Sequence, residues 1–403
     1  MTRLRRAAVA TALAVVLPLP IAGASSALAA PAPVIAGTTA APSSAAPVAE
    51  ASAARPDLPR PTGPHAVGRG TLHLVDGDRP DPWVPSAGAR QLMVSMYYPA
   101  RPGTGGPAAP YLTTQEARLL LDFQAPGADL PAEAITGLHP WARTDASPAP
   151  GRFPLVVLSP GFTLPRATLT GLAEDLASRG YVVAAVDHTY ETSGTAFPDG
   201  RTLACAICQD PDDATVAAVP PSRTEDVAFV LDRLTGPRPA WPYARMIDRD
   251  RIGMAGHSIG GNAAATAMAA DRRIRAGINM DGEFFDPTPG AGLDGRPFLL
   301  LGTRSVHNPS GWDTSWNEAW TRMDGWKRWL SVTGSDHGSF TDGPLIEARA
   351  GLPAPEATLA PLRAEKITRT YVGAFFDLHL KGVPQRLLDR PSPAYPEVVF
   401  EQP

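Results

Sequence analysis

The chain has 403 residues, of which 44% are hydrophobic, so it is long enough to bury a large core in one or two domains. It contains 36 basic and 40 acidic residues, for a net charge of −4, and no block of lysine or arginine. These features argue against a nucleic-acid-binding protein and against a protein that binds anionic membranes through its charge.

The first 29 residues have the pattern of a secretory signal peptide. A basic start with three arginines precedes a mostly apolar run over 7–21, and Ala27, Leu28 and Ala29 fit a small-residue cleavage site. The apolar run is short for a membrane span and contains two prolines. We therefore expect cleavage near Ala29 and secretion. A retained amphipathic helix is the less favoured alternative.

Residues 30–62 are rich in alanine, proline and serine and have almost no large apolar side chains. A segment of this composition cannot bury enough surface to offset the entropy lost on ordering. We predict a disordered leader over 30–62 and a folded domain over 63–403.

From about residue 66, apolar runs of strand length alternate with helical patterns. The predicted strands are 92–100, 153–161, 181–188, 251–258, 276–282, 297–303 and 328–334. The predicted helices are 167–179, 222–235, 260–270, 314–325 and 363–381. Near-continuous apolar runs are typical of parallel strands that are covered on both faces. The alternation predicts an α/β fold with a mainly parallel sheet flanked by helices.

Two stretches between the predicted strands bear on access to a site. The apolar-rich insertion 113–130 is either a helix that covers the sheet or a lip for lipid substrates. The long segment 189–221 is mostly polar and is broken by glycine and prolines. It does not resemble a large helical lid.

Cys205 and Cys208, in the sequence CAIC, are the only cysteines of the chain. In a cytosolic thioredoxin-like protein this spacing would suggest redox chemistry, and a metal site would need further cysteine or histidine ligands nearby. In a long loop of an exported chain, a small local disulfide is the favoured interpretation.

Ser258 lies in GHSIGG, between a strand-like run, RIGMAG, and a helical run of small residues. This is the context of a nucleophile elbow, in which a strained backbone exposes the serine hydroxyl at the carboxyl edge of a sheet. Gly256 and Gly260 fit the elbow, because side chains there would collide where the helix turns back on the strand. The alternative is a serine in an ordinary glycine-rich loop, since the bare motif also occurs by chance. The flanking strand and helix favour the nucleophile.

A serine nucleophile needs a base and an orienting acid, which follow it in the chain in this arrangement. The downstream histidines are His307, His337 and His379. His379 falls inside the last predicted helix, and His307 follows its strand too closely. His337 lies in the loop after the last predicted strand, at the carboxyl edge of the sheet. We predict His337 as the base and structural roles for His188 and His257.

The acid is predicted from its place at a strand end. Asp281 comes at the carboxyl end of the strand after the elbow, whereas Asp313 follows the next strand only after ten residues. Asp281 is therefore favoured over Asp313. Glu283 and Asp286 are weaker candidates, and Asp336 cannot easily reach the ring of the histidine next to it.

Acyl transfer also needs N–H donors for the oxyanion. One expected donor is the backbone N–H of Ile259, directly after the nucleophile. The second normally follows an earlier strand, and the loop SPGF (159–162) places the N–H of Phe162 there. An ordinary turn is the alternative for this loop, because Pro-Gly is a turn signal in any context.

The residues now carry a family resemblance. FPLVVLSPGFTLPRATLTGLAEDLASRGYVVAAVDH (153–188) and DRDRIGMAGHSIGGNAAATAMAADRRIRAGINMDG (248–282) resemble blocks of the plasma and intracellular type II platelet-activating-factor acetylhydrolases. The spacing of Ser258, Asp281 and His337 is also similar to that family's. Secreted bacterial lipases and polyester hydrolases share the elbow but usually carry their acid one strand later.

The resemblance covers about 92–380 and implies an α/β-hydrolase without cofactor that hydrolyses short or oxidised acyl esters independently of calcium. Together with the signal-peptide pattern, this leads us to expect a secreted serine esterase without a metal site. We expect a small-molecule or lipid ester as the substrate, no integral membrane association, and at most transient contact with lipid surfaces. The chain departs from the family in the proline of SPG, where relatives often have histidine, and in the segment 189–221. A lipase, a polyester hydrolase and a non-catalytic binding protein on the same scaffold remain alternatives.

Overall fold

The computed structural model describes residues 57–288, 290–352 and 357–403. The predicted signal peptide and the part of the predicted leader before residue 57 lie outside the described residues. Residues 57–62, which we assigned to the leader, contact the domain. Leu58 is buried, and both the N–H and the hydroxyl of Thr62 donate to the Asp175 carboxylate at 2.8 Å. The domain thus begins at least six residues earlier than predicted. One buried leucine and a few hydrogen bonds hold this segment on the domain, although its composition is typical of a disordered leader.

A ten-stranded sheet forms the centre of the described residues, and a two-stranded hairpin lies apart from it. The strands are β1 Ala66–Pro80, β2 Ala89–Ala100, β3 Arg143–Thr144, β4 Phe153–Ser159, β5 Val182–His188, β6 Gly194–Ala196, β7 Thr202–Ala204, β8 Ile247–His257, β9 Ile274–Met280, β10 Phe298–Thr303, β11 Lys327–Val332 and β12 Val398–Phe400. The order across the sheet is β12-β11-β10-β9-β8-β4-β5-β2-β1-β3, and β6 pairs with β7. The strands from β11 through β5 in this order run parallel, while β2 and β12 pair antiparallel with their inner neighbours.

Helices cover both faces of the sheet. They are α1 Thr114–Gln124, α2 Glu133–Thr136, α3 Thr170–Ser178, α4 Asp213–Thr235, α5 Ile259–Ala270, α6 Ser315–Arg322, α7 Gly343–Ala350 and α8 Pro361–Lys381. One apolar cluster joins the sheet to α4, α5 and α6, and a second joins it to α3 and α8. This double covering is what the near-continuous apolar strands require. The predicted α/β fold with a mainly parallel sheet is confirmed. None of the helices in the described residues is long and apolar enough to cross a membrane.

Several short elements, among them β3, β6, β7 and β12, were not predicted, and two longer ones, β1 and α4, differ from the sequence-based expectation for identifiable reasons. β1 was not predicted, because its buried and exposed positions alternate and glycines interrupt the apolar pattern. Helix α4 begins at Asp213, nine residues before the predicted start, and contains Pro220 and Pro221. Two adjacent prolines normally mark a break, since they donate no helical hydrogen bond. Buried side chains before and after them, including Val216 and Val230, hold the segment in place, so the predicted loop 189–221 ends at residue 212.

The strand register brings several loops to one edge of the sheet. Ser159 at the end of β4 pairs with Gly256 of β8, and His257 of β8 pairs with Met280 of β9. Thr303 of β10 lies opposite the end of β11. The loops that follow these five parallel strands therefore leave from the same carboxyl edge, where ligands bind in open α/β sheets.

Candidate active site

Ser258 occupies a strained turn between β8 and α5. Its backbone has φ 55° and ψ −130°, a conformation that side-chain-bearing residues rarely adopt. The neighbouring glycines are required by close backbone contacts. A Cβ on Gly256 would lie 2.0 Å from the Gly260 carbonyl oxygen, and a Cβ on Gly260 would lie 2.2 Å from the Ser159 carbonyl oxygen. Ser258 therefore sits in the geometry of a nucleophile elbow.

Asp281 follows β9 directly and turns its carboxylate toward the next loops. It is buried and also has a positive φ, 59°. Its Oδ2 lies 2.7 Å from Nδ1 of His337, whose side chain is 38% exposed in the loop after β11. Burial alone would raise the pKa of the Asp281 carboxyl, but His307 and His337 outweigh burial and hold it well below its ordinary range. An ionised carboxylate thus receives the Nδ1–H of His337 and leaves Nε2 directed away from it.

The ring of His337 lies beside the elbow. The ring of His257, which precedes Ser258, packs at a tilt of 43° against the His337 ring, with 4.6 Å between the centroids, and its Nε2–H donates to the His337 carbonyl at 2.7 Å. Burial, with His337 as a second cause, lowers the pKa of His257 to about 3, so this ring stays neutral. Within the described ranges, no hydrogen bond joins the Ser258 hydroxyl to His337. Such bonds are often long in unliganded enzymes and shorten when substrate binds.

The two predicted oxyanion donors lie on either side of the elbow. A Cβ added to Gly161 would lie 3.3 Å from Cβ of Ser258, so the loop after β4 touches the serine. In the part of the chain that the structure describes, neither the Phe162 N–H nor the Ile259 N–H donates to a protein acceptor. The loop is held by its next residue, because the Thr163 N–H donates to the Glu191 carbonyl at 2.9 Å.

A second histidine shares the Asp281 carboxylate, which the sequence analysis did not predict. His307 Nδ1 lies 2.6 Å from Asp281 Oδ1, and His307 Nε2 lies 2.9 Å from Asp313 Oδ2. Asp313, the alternative acid, therefore reaches His337 only through His307 and Asp281. Little in the sequence indicated that His307 would contact Asp281, because His307 lies in an irregular segment with no motif around it. None of the described His, Cys, Asp and Glu residues forms a group of three or more suited to a metal ion.

The remaining candidates have other partners. Asp336 accepts a hydrogen bond from the Ser339 hydroxyl at 2.7 Å and caps the short helical turn that contains His337. The Asp286 N–H and carbonyl bond to the Asn262 side chain. His379, on α8, packs against the rings of Phe375 on the same helix and of Trp326, as expected for a structural histidine.

A buried set of serine, histidine and aspartate lies at the start of the loop SPGF (159–162), which we call the oxyanion loop because it contains the predicted donor Phe162. Ser159 Oγ is 3.0 Å from His188 Nε2, and His188 Nδ1 is 2.8 Å from Asp226 Oδ2. All three side chains are inaccessible to solvent, so an ester cannot reach Ser159. Arg223 donates to Ser159 Oγ at 3.1 Å and to the Pro160 carbonyl. The set therefore anchors the start of the loop that presents the Phe162 N–H, which refines the structural role predicted for His188.

An apolar cluster includes the side chains of Phe162 and Ile259, the two predicted oxyanion donors. We call it the elbow-side cluster, and its members are Trp83, Phe162, Ile207, Val216, Val219, Ile259 and Phe285. Ile207 comes from the loop that the Cys205–Cys208 disulfide closes. The disulfide thus constrains the segment that places one wall of this cluster, while Phe162, Ile207, Trp83 and Phe285 remain partly exposed.

The insertion 113–130 packs on the domain. Leu120 and Leu121 of α1 are buried in a cluster with Leu345 and Ile346 of α7. This packing favours a covering helix over a lip for lipid substrates.

Comparison with known proteins assigns the chain to a group of ester hydrolases. The family model described as platelet-activating factor acetylhydrolase, isoform II, matches residues 51–199. The chain is 29% identical over 375 residues to a probable 1-alkyl-2-acetylglycerophosphocholine esterase of Arthroderma benhamiae, which covers 84% of this chain and 92% of that protein. It is 27% identical over 186 residues to a bis(hydroxyethyl) terephthalate hydrolase of Streptomyces coelicolor, over 44% of this chain and 51% of that protein.

A solved structure is more similar still. The ferulic acid esterase of Streptomyces cinnamoneus is 47% identical, with a TM-score of 0.77, over 87% of this chain and 100% of that chain. The sheet order and the elbow described above are therefore those of an α/β-hydrolase, and the relatives are ester hydrolases.

The two serine–histidine pairs predict opposite results on mutation. Ser258→Ala should lower ester hydrolysis by about 10⁶-fold, because only the oxyanion donors and substrate binding would remain. Ser159→Ala should retain turnover within about tenfold and lose about 1–3 kcal/mol of stability, because Arg223 loses a buried acceptor and His188 Nε2 loses its donor. The measurements are turnover of a soluble p-nitrophenyl ester, labelling by a fluorophosphonate probe, and thermal unfolding. Labelling of the Ser258→Ala variant at the wild-type rate would remove Ser258 from the mechanism.

The two candidate acids are separated by a matched pair of isosteric variants. Asp281→Asn should lower kcat by about 10⁴-fold, because the amide no longer holds the histidine in its productive tautomer. Asp313→Asn should cost far less, since Asp313 touches only His307 in this chain of contacts. Steady-state kinetics of both variants, with circular dichroism as the control for folding, tests this order. A larger loss for Asp313→Asn would show that the strand-end argument selected the wrong acid.

Proposed function

The chain belongs to the family of α/β-hydrolases that includes the platelet-activating factor acetylhydrolases of isoform II, and it is a carboxylic-ester hydrolase. We propose that Ser258, His337 and Asp281 are its catalytic triad. The observation that carries this proposal is the bond between the buried Asp281 carboxylate and the His337 ring beside a strained Ser258. A non-catalytic binding protein would have no need to hold an ionised carboxylate and a backbone outlier at this edge of the sheet.

In the acylation step, Ser258 Oγ attacks the ester carbonyl carbon while His337 Nε2 takes the hydroxyl proton. The Asp281 carboxylate stabilises the imidazolium that forms, through the Nδ1–H bond of 2.7 Å. The tetrahedral oxyanion receives hydrogen bonds from the free N–H groups of Phe162 and Ile259. The C–O bond then breaks, and the departing alkoxide takes the proton from His337 and leaves as the alcohol.

In the deacylation step, water takes the place of the alcohol. His337 removes a proton from water, the hydroxide adds to the acyl carbon, and the same two N–H groups hold the second oxyanion. Ser258 leaves with the proton from His337, and the carboxylic acid is released. The buried network under the oxyanion loop supports both steps, because Arg223 fixes the Pro160 carbonyl two residues before Phe162.

We propose an ester with a compact aromatic acyl group, of the feruloyl type, as the substrate. The elbow-side cluster supports this choice, since partly exposed Trp83, Phe162 and Phe285 surround the oxyanion donors. Offset and edge-to-face contacts with aromatic side chains favour an aryl group over a saturated chain of the same length. The 47% identity to the ferulic acid esterase supports the same class.

The second candidate is a short-acyl ester of a glycerophospholipid, as in our sequence-based expectation. Its support is the relative named as a 1-alkyl-2-acetylglycerophosphocholine esterase, which this chain matches over 92% of that relative's length. For either substrate we propose a site open to solvent. The segment 189–212 holds the β6–β7 hairpin and the disulfide loop, and α4 begins only after it. Contact with lipid surfaces is then transient and does not activate the enzyme.

We further propose that the protein is secreted. The basic start, the apolar run and the Ala27-to-Ala29 site support export, and the Cys205–Cys208 disulfide fits an oxidising compartment.

A hydrolysis panel tests the substrate. Feruloyl and benzoyl esters should give higher kcat/KM than p-nitrophenyl acetate or butyrate, and octanoyl or longer esters should give the lowest. Acetylated glycerophospholipid is included for the second candidate. Rate against substrate concentration should rise smoothly through the critical micelle concentration, because no lid has to open. Preference for long acyl chains with a marked jump on micelle formation would identify a lipase and contradict both candidates.

Ile207→Ala sharpens the same test. Removing this wall of the elbow-side cluster should raise KM for the feruloyl ester by about 5- to 30-fold, the equivalent of one lost apolar side-chain contact of about 1–2 kcal/mol, and change KM for the acetyl ester little. Val75→Ala, an exposed apolar residue on β1, is the matched control. Equal effects of Ile207→Ala on both esters would contradict the assignment of the acyl group to this cluster.

The mature N-terminus tests secretion. Expression of the full chain in a secreting host should yield protein in the medium that begins at or close to Ala30, as read by intact-mass spectrometry. Protein retained in the cells with residues 1–29 attached would contradict the proposal.

A further inference from the structure

The Asp281 carboxylate has a separate set of partners on each oxygen. Oδ2 lies 2.7 Å from His337 Nδ1. Oδ1 accepts hydrogen bonds from His307 Nδ1 and from the Thr303 N–H, each at 2.6 Å. A carboxylate that is held on one oxygen only can rotate about its Cβ–Cγ bond. Held on both oxygens, it presents Oδ2 to His337 in a single orientation.

His307 is itself fixed on several sides. It is buried, and its ring stacks on Trp316 at 4.1 Å with an interplanar angle of 20°. Trp329 Nε1 donates to the His307 carbonyl at 2.9 Å. Its second ring nitrogen lies 2.9 Å from Asp313 Oδ2, and the other Asp313 oxygen accepts the Ser315 N–H at 2.8 Å. The ring has no freedom to turn away from Asp281.

The charges around His307 favour a cation. Burial alone would lower its pKa, but the carboxylates of Asp281 and Asp313 outweigh burial and raise it to about 9. At neutral pH both ring nitrogens therefore carry protons and both donate. The other titratable groups that face this cluster are His337 and Glu283, and burial followed by Asp313 raises the pKa of the Glu283 carboxyl to about 7.

We propose that His307, held by Asp313, is a positioning residue of this esterase that orients the Asp281 carboxylate toward His337. His307 acts through Asp281 and does not touch the substrate. This inference rests on the proposed triad and extends it to a line of contacts from Asp313 through His307 and Asp281 to His337. Without His307, Oδ1 keeps only the Thr303 N–H, the carboxylate gains further orientations, and the base is less often aligned.

The test compares two substitutions at His307 by kcat, KM and the pH dependence of kcat/KM on a soluble p-nitrophenyl ester. His307→Ala removes the donor and the charge. It should lower kcat about 10- to 100-fold, the usual range for a residue that orients another group of the active site, and change KM less than about twofold. His307→Asn keeps an N–H donor near the position of Nδ1 and should recover most of kcat.

The pH profile separates positioning from packing. In His307→Asn the charge of Asp281 has lost its neighbouring cation, so the protonated form of the catalytic base is stabilised. The acid limb of kcat/KM should then move to higher pH by about half a unit or more. A residue that only fills space would not move this limb. His379→Asn, at a half-buried histidine that also packs on a tryptophan, is the matched control and should leave kcat and the profile unchanged.

Active-site titration with a fluorophosphonate and thermal unfolding show whether each variant is folded. If His307→Ala does not fold, His307→Asn and the isosteric Asp313→Asn decide the question. Asp313→Asn should lower kcat less than His307→Ala does. Folded variants with kcat and acid limbs indistinguishable from wild type would overturn the inference. The Ser258→Ala and Asp281→Asn variants separate this inference from the proposed triad. If those two variants are inactive while the His307 variants behave as wild type, only the role of His307 is rejected. If those two variants are active, the triad itself is rejected.

Discussion

The arrangement of the site depends on one buried anion, the carboxylate of Asp281. An ionised group without solvent is costly unless every lone pair has a donor. Three donors meet this need: the Thr303 N–H at the end of β10, the His307 ring in the loop after β10, and the His337 ring in the loop after β11. The parallel order β9-β10-β11 is what places these donors around one residue. In the proposed mechanism the same charge stabilises the imidazolium that forms during proton transfer.

Ser258, the proposed nucleophile, depends on a second constraint, the close approach of α5 to the sheet. The backbone conformation of Ser258 costs about 1–3 kcal/mol and persists only because its surroundings allow no other. Glycines at 256 and 260 remove the side chains that would prevent this approach. On the opposite side, Arg223, His188 and Ser159 fix the oxyanion loop from below. Serine and donors are thus held before substrate arrives, so little reorganisation remains at the moment of reaction.

Two serine–histidine–aspartate sets within one domain illustrate why residue identity does not define a catalytic site. Ser159, His188 and Asp226 have the distances of a triad but are enclosed by the core. Burial, followed by the charge of Arg223, lowers the pKa of His188, so the ring stays neutral and serves as a fixed donor and acceptor. Solvent access and a strained elbow distinguish Ser258 from Ser159.

Local signals in the sequence determined a large part of this protein. Continuous apolar runs predicted the parallel strands, small residues around GHSIGG predicted the elbow, and strand-end placement predicted that Asp281 and His337 lie together, because each of these features involves neighbours in the chain. Tertiary structure alone decided the rest. His307 meets Asp281 across 26 residues, Ser159 meets His188 across 29, and Ile207 reaches the elbow-side cluster through a loop of irregular sequence. The extension of α4 through Pro220 and Pro221 was likewise decided by packing against buried side chains. Such contacts depend on which strands lie side by side and on what each loop packs against, and neither a period nor a motif records that information.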